Sequence, residues 1–132
     1  IGIREVADYI ENEHKRDPAK RIVVGTEGFF GTLPDGLQIY LEDVPNVVVI
    51  GVGLAISEVH PSLIESKKAG NKTYLVVNNS RLAKDPAELE LKLIAAYPKP
   101  PRTPGTMEYS QNGPQEILYF FEVTDRLHKS SI

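Results

Sequence analysis

Apolar residues recur at Ile3, Val6, Ala7 and Ile10, the i, i+3, i+4, i+7 spacing of one helix face, while Arg4, Glu5, Asp8, Glu11 and Asn12 take the other faces. The spacing predicts an amphipathic helix over "IGIREVADYIENEHKRD", broken by Asp17 and Pro18. The period then changes. "RIVVG" is a short β-branched run stopped by glycine, the pattern of a strand buried on both faces. "NVVVIGVG" and "KTYLVVN" repeat that pattern further along. Between the first two strands, Thr32 and Asp35 are spaced as a capping-box variant with Pro34 in the first turn, which predicts a helix from about Leu33 to Glu42 burying Leu33, Leu37, Tyr40 and Leu41. Between the second and third, "HPSLIESKKAG" reads as a short helix that starts at Pro61 and stops at Gly70.

The last third follows a different rule. "LELKLIAAYP" sets Leu89, Leu91, Leu93 and Ala95 against Glu90, Lys92 and Ile94 in strand alternation, and "EILYFFEVT" is a second β-rich run. Joined by the proline- and glycine-rich "PKPPRTPGTMEYSQNGPQ", they predict an antiparallel hairpin at the side of a parallel sheet. The order α-β-α-β-α-β followed by a hairpin defines an α/β fold. The expected architecture is a three-layer, Rossmann-like mixed sheet of about five strands flanked by three helices, parallel in its first half. Residues 1–132 suit one domain and are too few for two ordinary ones.

Composition narrows the functional classes. With 41% hydrophobic and 25% charged residues the chain has the makeup of a folded domain. A net charge of -3, with fifteen Lys and Arg scattered among eighteen acids, argues against a nucleic-acid partner, which needs a basic excess. Absence of cysteine removes disulfides, a thiolate nucleophile and thiolate metal sites. No apolar run approaches the roughly 20 residues of a membrane helix. The chain opens at Ile1 already inside a helical pattern, which reads as a cut made within a longer polypeptide.

Candidate chemistry concentrates in "VVGTEGFFGTLPDGLQIYL", where a strand end meets Gly25, Thr26, Glu27, Gly28, Phe29, Phe30 and Gly31 ahead of Asp35. A dinucleotide cradle needs G-x-G-x-x-G, whereas the spacing here is G-x-x-G-x-x-G with a carboxylate and two bulky rings in the turn. Glu27 at the carboxyl end of a parallel strand could act as a general acid or base, but no second titrating partner is marked, and it could equally accept N–H bonds within its own turn. Adjacent residues do not both face inward on a regular element, so one of Phe29 and Phe30 is expected near the surface, available to a ligand or a partner. His14, His60 and His128 are dispersed, without metal-ligand spacing, and are expected on surfaces or at helix ends. No G-x-S-x-G elbow is present, and no motif implies a cofactor or metal. Asn71-Lys72-Thr73 and Asn78-Asn79-Ser80 match the glycosylation tripeptide, a pattern common by chance.

The runs "IREVADYIENE", "KRIVVGTEGFFGTLPDGLQIYLEDVPNVVVIGVG", "TYLVVNN" and "LELKLIAAYPKP" resemble the C-terminal soluble tail of bacterial multi-spanning membrane glycosyltransferases, which are similar to the dolichyl-phosphate-mannose-dependent protein mannosyltransferases. The resemblance runs from Ile3 to about Pro98 and loosely through "EILYFFEVT"; its most specific part is Gly25 to Gly31 with Pro34 and Tyr40 after it. It implies a polytopic enzyme that passes a sugar from a polyprenyl-phosphate carrier to an acceptor outside the cytoplasmic membrane. It also implies that the catalytic acid lies in a loop near the N-terminal transmembrane helices, so no catalytic residue transfers to this chain. On that basis the chain is expected to be a non-catalytic extracytoplasmic domain that assists acceptor or substrate binding through Gly25, Thr26, Glu27, Gly28, Phe29, Phe30, Gly31 and Asp35. Its partners would be the transmembrane part of the same polypeptide and a polyprenyl-phosphate-linked sugar or glycan acceptor. The competing expectations are a stand-alone α/β enzyme or small-molecule binder using the same turn, and an interaction domain whose Pro98 to Pro114 loop meets a partner.

Overall fold

A computed structural model describes residues 2–26, 41, 43–52, 58–79, 82–86, 88–89, 91–98, 103–107, 115 and 117–124. Helix α1 covers Ile3–Arg16, strand β1 Ile22–Thr26, β2 Val47–Gly51, helix α2 Pro61–Lys68, β3 Lys72–Asn78, β4 Leu91–Pro98 and β5 Ile117–Val123. The five strands form one mixed sheet in the order β2-β1-β3-β5-β4. β1 pairs in parallel with β2 and β3, whereas β5 runs antiparallel to both β3 and β4. The fold is therefore mixed α/β, with two helices among the described residues. The predicted helix from Leu33 to Glu42 falls outside them except for Leu41, which is helical and buried as expected.

Each face of the sheet carries its own core. On one face Ile3, Val6, Ala7 and Ile10 of α1 pack with Ile22 and Val24 of β1, Tyr74 and Val76 of β3, and Leu118 and Phe120 of β5. A 14-residue helix is marginal on its own, so this contact is what holds it. Burying each of Ile3, Val6 and Ile10 contributes about 1.5–3 kcal/mol. On the other face Leu63 of α2 packs with Val23, Leu75, Val77, Phe121 and Val123. Both central strands are buried along nearly their whole length, which is why their sequences are continuous apolar runs instead of alternating ones.

The helix ends follow the sequence signals. His60 caps α2 with its ring Nδ1, which accepts from the Ser62 N–H at 3.1 Å, and Pro61 opens the first turn. At the other end Gly70 is left-handed at φ +89°, with the Gly70 N–H donating to the Lys67 carbonyl and the Asn71 N–H to the Ser66 carbonyl. A 2.8 Å bond between the buried Ser66 and Thr73 hydroxyls then fastens α2 to β3.

One expectation is corrected. Leu91 and Leu93 pair with Val123 and Phe121 and keep one face with Leu89, but a bulge between Leu93 and Ala95 sets Ala95 opposite Phe120, on the other face. Ile94 and Tyr97 pack against the core under α1, and Leu93 is 51% exposed. The alternation also did not decide which hairpin strand takes the margin: β4 does, and β5 lies inside.

Candidate functional site at the carboxyl edge of the sheet

The strand order creates a switch point. From β1 the chain passes to β2 over the face that holds α1, since Leu41 and Val44 pack in that core. From β3 it passes to β4 over the opposite face, where Leu82 and Leu89 pack with Leu63. Neighbouring parallel strands whose connections leave to opposite faces open a crevice at their carboxyl ends, and α/β folds place ligands there. In this chain the switch point falls between Thr26, which ends β1, and Asn78, which ends β3. Gly25 and Thr26 therefore stand at the switch point.

Of the eight residues singled out in the sequence, Gly25 and Thr26 are described, and both are committed to structure. A methyl group built on Gly25 would sit 2.9 Å from Cδ1 of Leu63 and 3.1 Å from Cγ1 of Val52. The first glycine of the motif is thus a packing device, leaving room for α2 to lie against β1. Thr26 is fully buried; its hydroxyl donates to the Ile50 carbonyl at 3.3 Å and its carbonyl accepts from the Val52 N–H at 2.8 Å. Together these bonds prolong the β1–β2 pairing by one residue. Glu27, Gly28, Phe29, Phe30, Gly31 and Asp35 lie outside the described residues.

Just past the end of β3 stands a residue whose structural role sequence reasoning missed. Asn79 accepts from the Ile117 N–H at 3.1 Å through Oδ1 and donates to the Gln115 carbonyl at 3.3 Å through Nδ2. Its side chain imitates one more step of the β3–β5 ladder and fixes where β5 enters the sheet. An amide at a strand end was the available signal, but its partners are 36 and 38 residues away. The start of α1 reaches the same end: a methyl group on Gly2 would meet Cβ of Tyr97 at 2.8 Å and Cδ2 of Leu118 at 2.9 Å.

Ionised chemistry gathers elsewhere, near the amino ends of the strands. Glu13 accepts from Lys72 at 2.7 Å and from Arg16 at 2.6 Å. The hydrogen bond from Lys72, supported by the nearby guanidinium, holds the Glu13 carboxyl below its ordinary range against the opposing effect of burial. Tyr74 lies beneath Tyr9 and beside Phe120, and burial pushes its phenol well above its ordinary value. These groups brace α1 against β3. His14 lies in the last turn of α1 and His60 is a helix cap, as expected of helix-end residues, while His128 lies outside the described residues. Among the described residues no group of three or more His, Asp or Glu side chains could hold a metal ion. None of their helices is long and apolar enough to cross a membrane.

By fold, the described residues form a mixed α/β sheet, parallel around β1 and antiparallel at β5. No protein-family model, curated protein or solved structure matches the chain.

Proposed function

We propose that the chain is a non-catalytic accessory domain, Rossmann-like in its three layers, on the extracytoplasmic face of a membrane glycosyltransferase that uses a polyprenyl-phosphate sugar. Its role is to help bind acceptor or substrate along the carboxyl edge of the sheet, with the transmembrane part of the same polypeptide as its partner. One observation carries the reading: Gly25 and Thr26 end β1 at the switch point, beside the end of β3 that Asn79 ties to β5. Placement at a switch point supports ligand binding as a general rule of α/β sheets. The choice of glycosyltransferase rests on the resemblance of residues 3–98.

The test is an NMR titration of the domain with polyprenyl-phosphate head-group analogues, simple glycans and nucleotides, following the amides of Gly25, Thr26, Asn79 and Ile117. Saturable shifts with a glycan or lipid-phosphate analogue are expected. Shifts with nucleotide alone would replace the reading with a stand-alone small-molecule binder, and silence with every ligand would remove the site. In the membrane enzyme that this reading implies, Glu27→Ala and Phe30→Ala are expected to lower glycosyl transfer; unchanged transfer would sink the role of the turn.

A further inference from the structure

The charges that look scattered in the sequence are sorted by the fold. Lys15 and Arg16 end α1, Lys20 and Arg21 lead into β1, Lys67 and Lys68 end α2, and Lys72 opens β3. All seven stand at the amino edge of the sheet, because Ile22 and Lys72 are register partners and the Lys72 N–H donates to the Arg21 carbonyl at 3.0 Å. Asn46, left-handed at φ 63°, ties the loop to the start of β2 by donating from Nδ2 to the carbonyls of Pro18 and Ala19 at 3.4 and 3.3 Å.

Three of the seven cations are occupied: Lys15 faces Glu11 at 3.6 Å, and Arg16 and Lys72 share Glu13. Lys20, Arg21, Lys67 and Lys68 make no ion pair among the described residues, and all but the half-buried Lys67 are exposed. Asp17, Asp43 and Glu65 are the remaining acids described on these segments, and Glu122 further along the edge is the register partner of Lys92, so the described residues there keep an excess of two cations in a chain whose net charge is -3. The negative ends of two helix dipoles offset part of that excess without removing it.

We propose that this amino edge docks on an anionic lipid surface. The four cations without an ion pair among the described residues sit on both sides of the sheet end and on the loop between, spread across the width of the sheet. Such a spread fits a flat layer of mobile head groups better than a nucleic-acid strand or an acidic peptide. Docking in this way turns the carboxyl edge, with its switch point, away from the bilayer and toward the aqueous phase. The inference goes beyond the proposed function and stands on charge placement alone, so glycan titration and lipid binding fail separately.

The test is co-sedimentation of the 132-residue chain with vesicles of one part phosphatidylglycerol to two parts phosphatidylcholine, and with vesicles of phosphatidylcholine alone. At low salt, binding to the anionic vesicles only is expected, with loss at high salt. The variant carrying Lys20→Ser, Arg21→Ser, Lys67→Ser and Lys68→Ser should bind about tenfold more weakly or worse, since each cation near such a surface counts for several-fold. Arg4→Ser with Lys84→Ser, both exposed and far from this edge, should bind as the wild type does. Circular dichroism confirms that each variant is folded. Equal binding to both vesicle types, no binding to either, or equal loss in the two variants would overturn the proposal.

Discussion

Replacing Gly25 with alanine probes the one motif residue whose neighbours are defined on all sides. The added methyl would meet Leu63 Cδ1 at 2.9 Å, Val52 Cγ1 at 3.1 Å and Leu63 Cδ2 at 3.2 Å. All three atoms are side-chain methyls that can shift, but Leu63 is fully buried, and overpacking of this kind costs about 1–3 kcal/mol. Because Gly25 does not need a left-handed backbone, alanine also restricts the unfolded chain and returns about 0.4–1 kcal/mol. The net expectation is a loss of about 0.5–2 kcal/mol, measured as a lower urea midpoint at unchanged slope. Leu63→Ala alone should cost about 2–5 kcal/mol through the cavity it leaves. In the double variant the alanine at position 25 projects into that cavity, so the two losses should combine to less than their sum by roughly 0.5–3 kcal/mol. Strict additivity, or a stabilised Gly25→Ala protein with Leu63 intact, would refute the view that this glycine exists for helix packing.

Further measurements follow from other contacts. Glu13→Gln should lower stability at neutral pH. The folded carboxyl of Glu13 titrates below its unfolded value, so its contribution is full above the unfolded range and is lost as pH falls through the lowered folded value. Thermal melts across an acid series should show the wild-type advantage shrinking, and a constant gap would rule out the Lys72 and Arg16 contacts as its source. Asn79→Ala removes two hydrogen bonds and should cost about 1–2 kcal/mol, with faster hydrogen exchange at the Ile117 amide; an unchanged exchange rate would argue against the clamp. Leu93→Lys should stay within about 0.5 kcal/mol of wild type, because that side chain is already 51% exposed, and a large loss in denaturant midpoint would mean that it is buried.

Much of the fold was legible in the sequence where local pattern and tertiary demand agree. The Ile3, Val6, Ala7, Ile10 stripe, the continuous apolar runs of β1 and β3, and the Pro61 and Gly70 boundaries of α2 all reflect forces acting within a few residues. The bulge was illegible because Ile94 is as apolar as its neighbours, so the sequence shows no change of period where the ladder shifts. Gly25 could be placed beside a strand end from sequence, but its reason for being glycine is Leu63, 38 residues later. The cationic edge was invisible for a related cause: two stretches far apart in the chain, residues 15–21 and 67–72, supply it, and only the pairing of β1 with β3 sets them side by side. Of the candidate site, sequence reasoning marked the end of β1 and overlooked the role of Asn79 at the end of β3.

The position of β5 bears on how the molecule is made. It follows every other described element in the chain yet lies between β3 and β4, bonded to both. A ribosome must therefore release residues up to Val123 before the sheet can close, and until then β3 offers an open margin carrying Leu75, Val76 and Val77. Such a margin invites pairing with another nascent chain. Closure of the sheet in the cell is accordingly a nearly all-or-none event instead of a progressive one, and messages cut short before the codon for Ile117 should yield insoluble product whatever the merits of the part already translated.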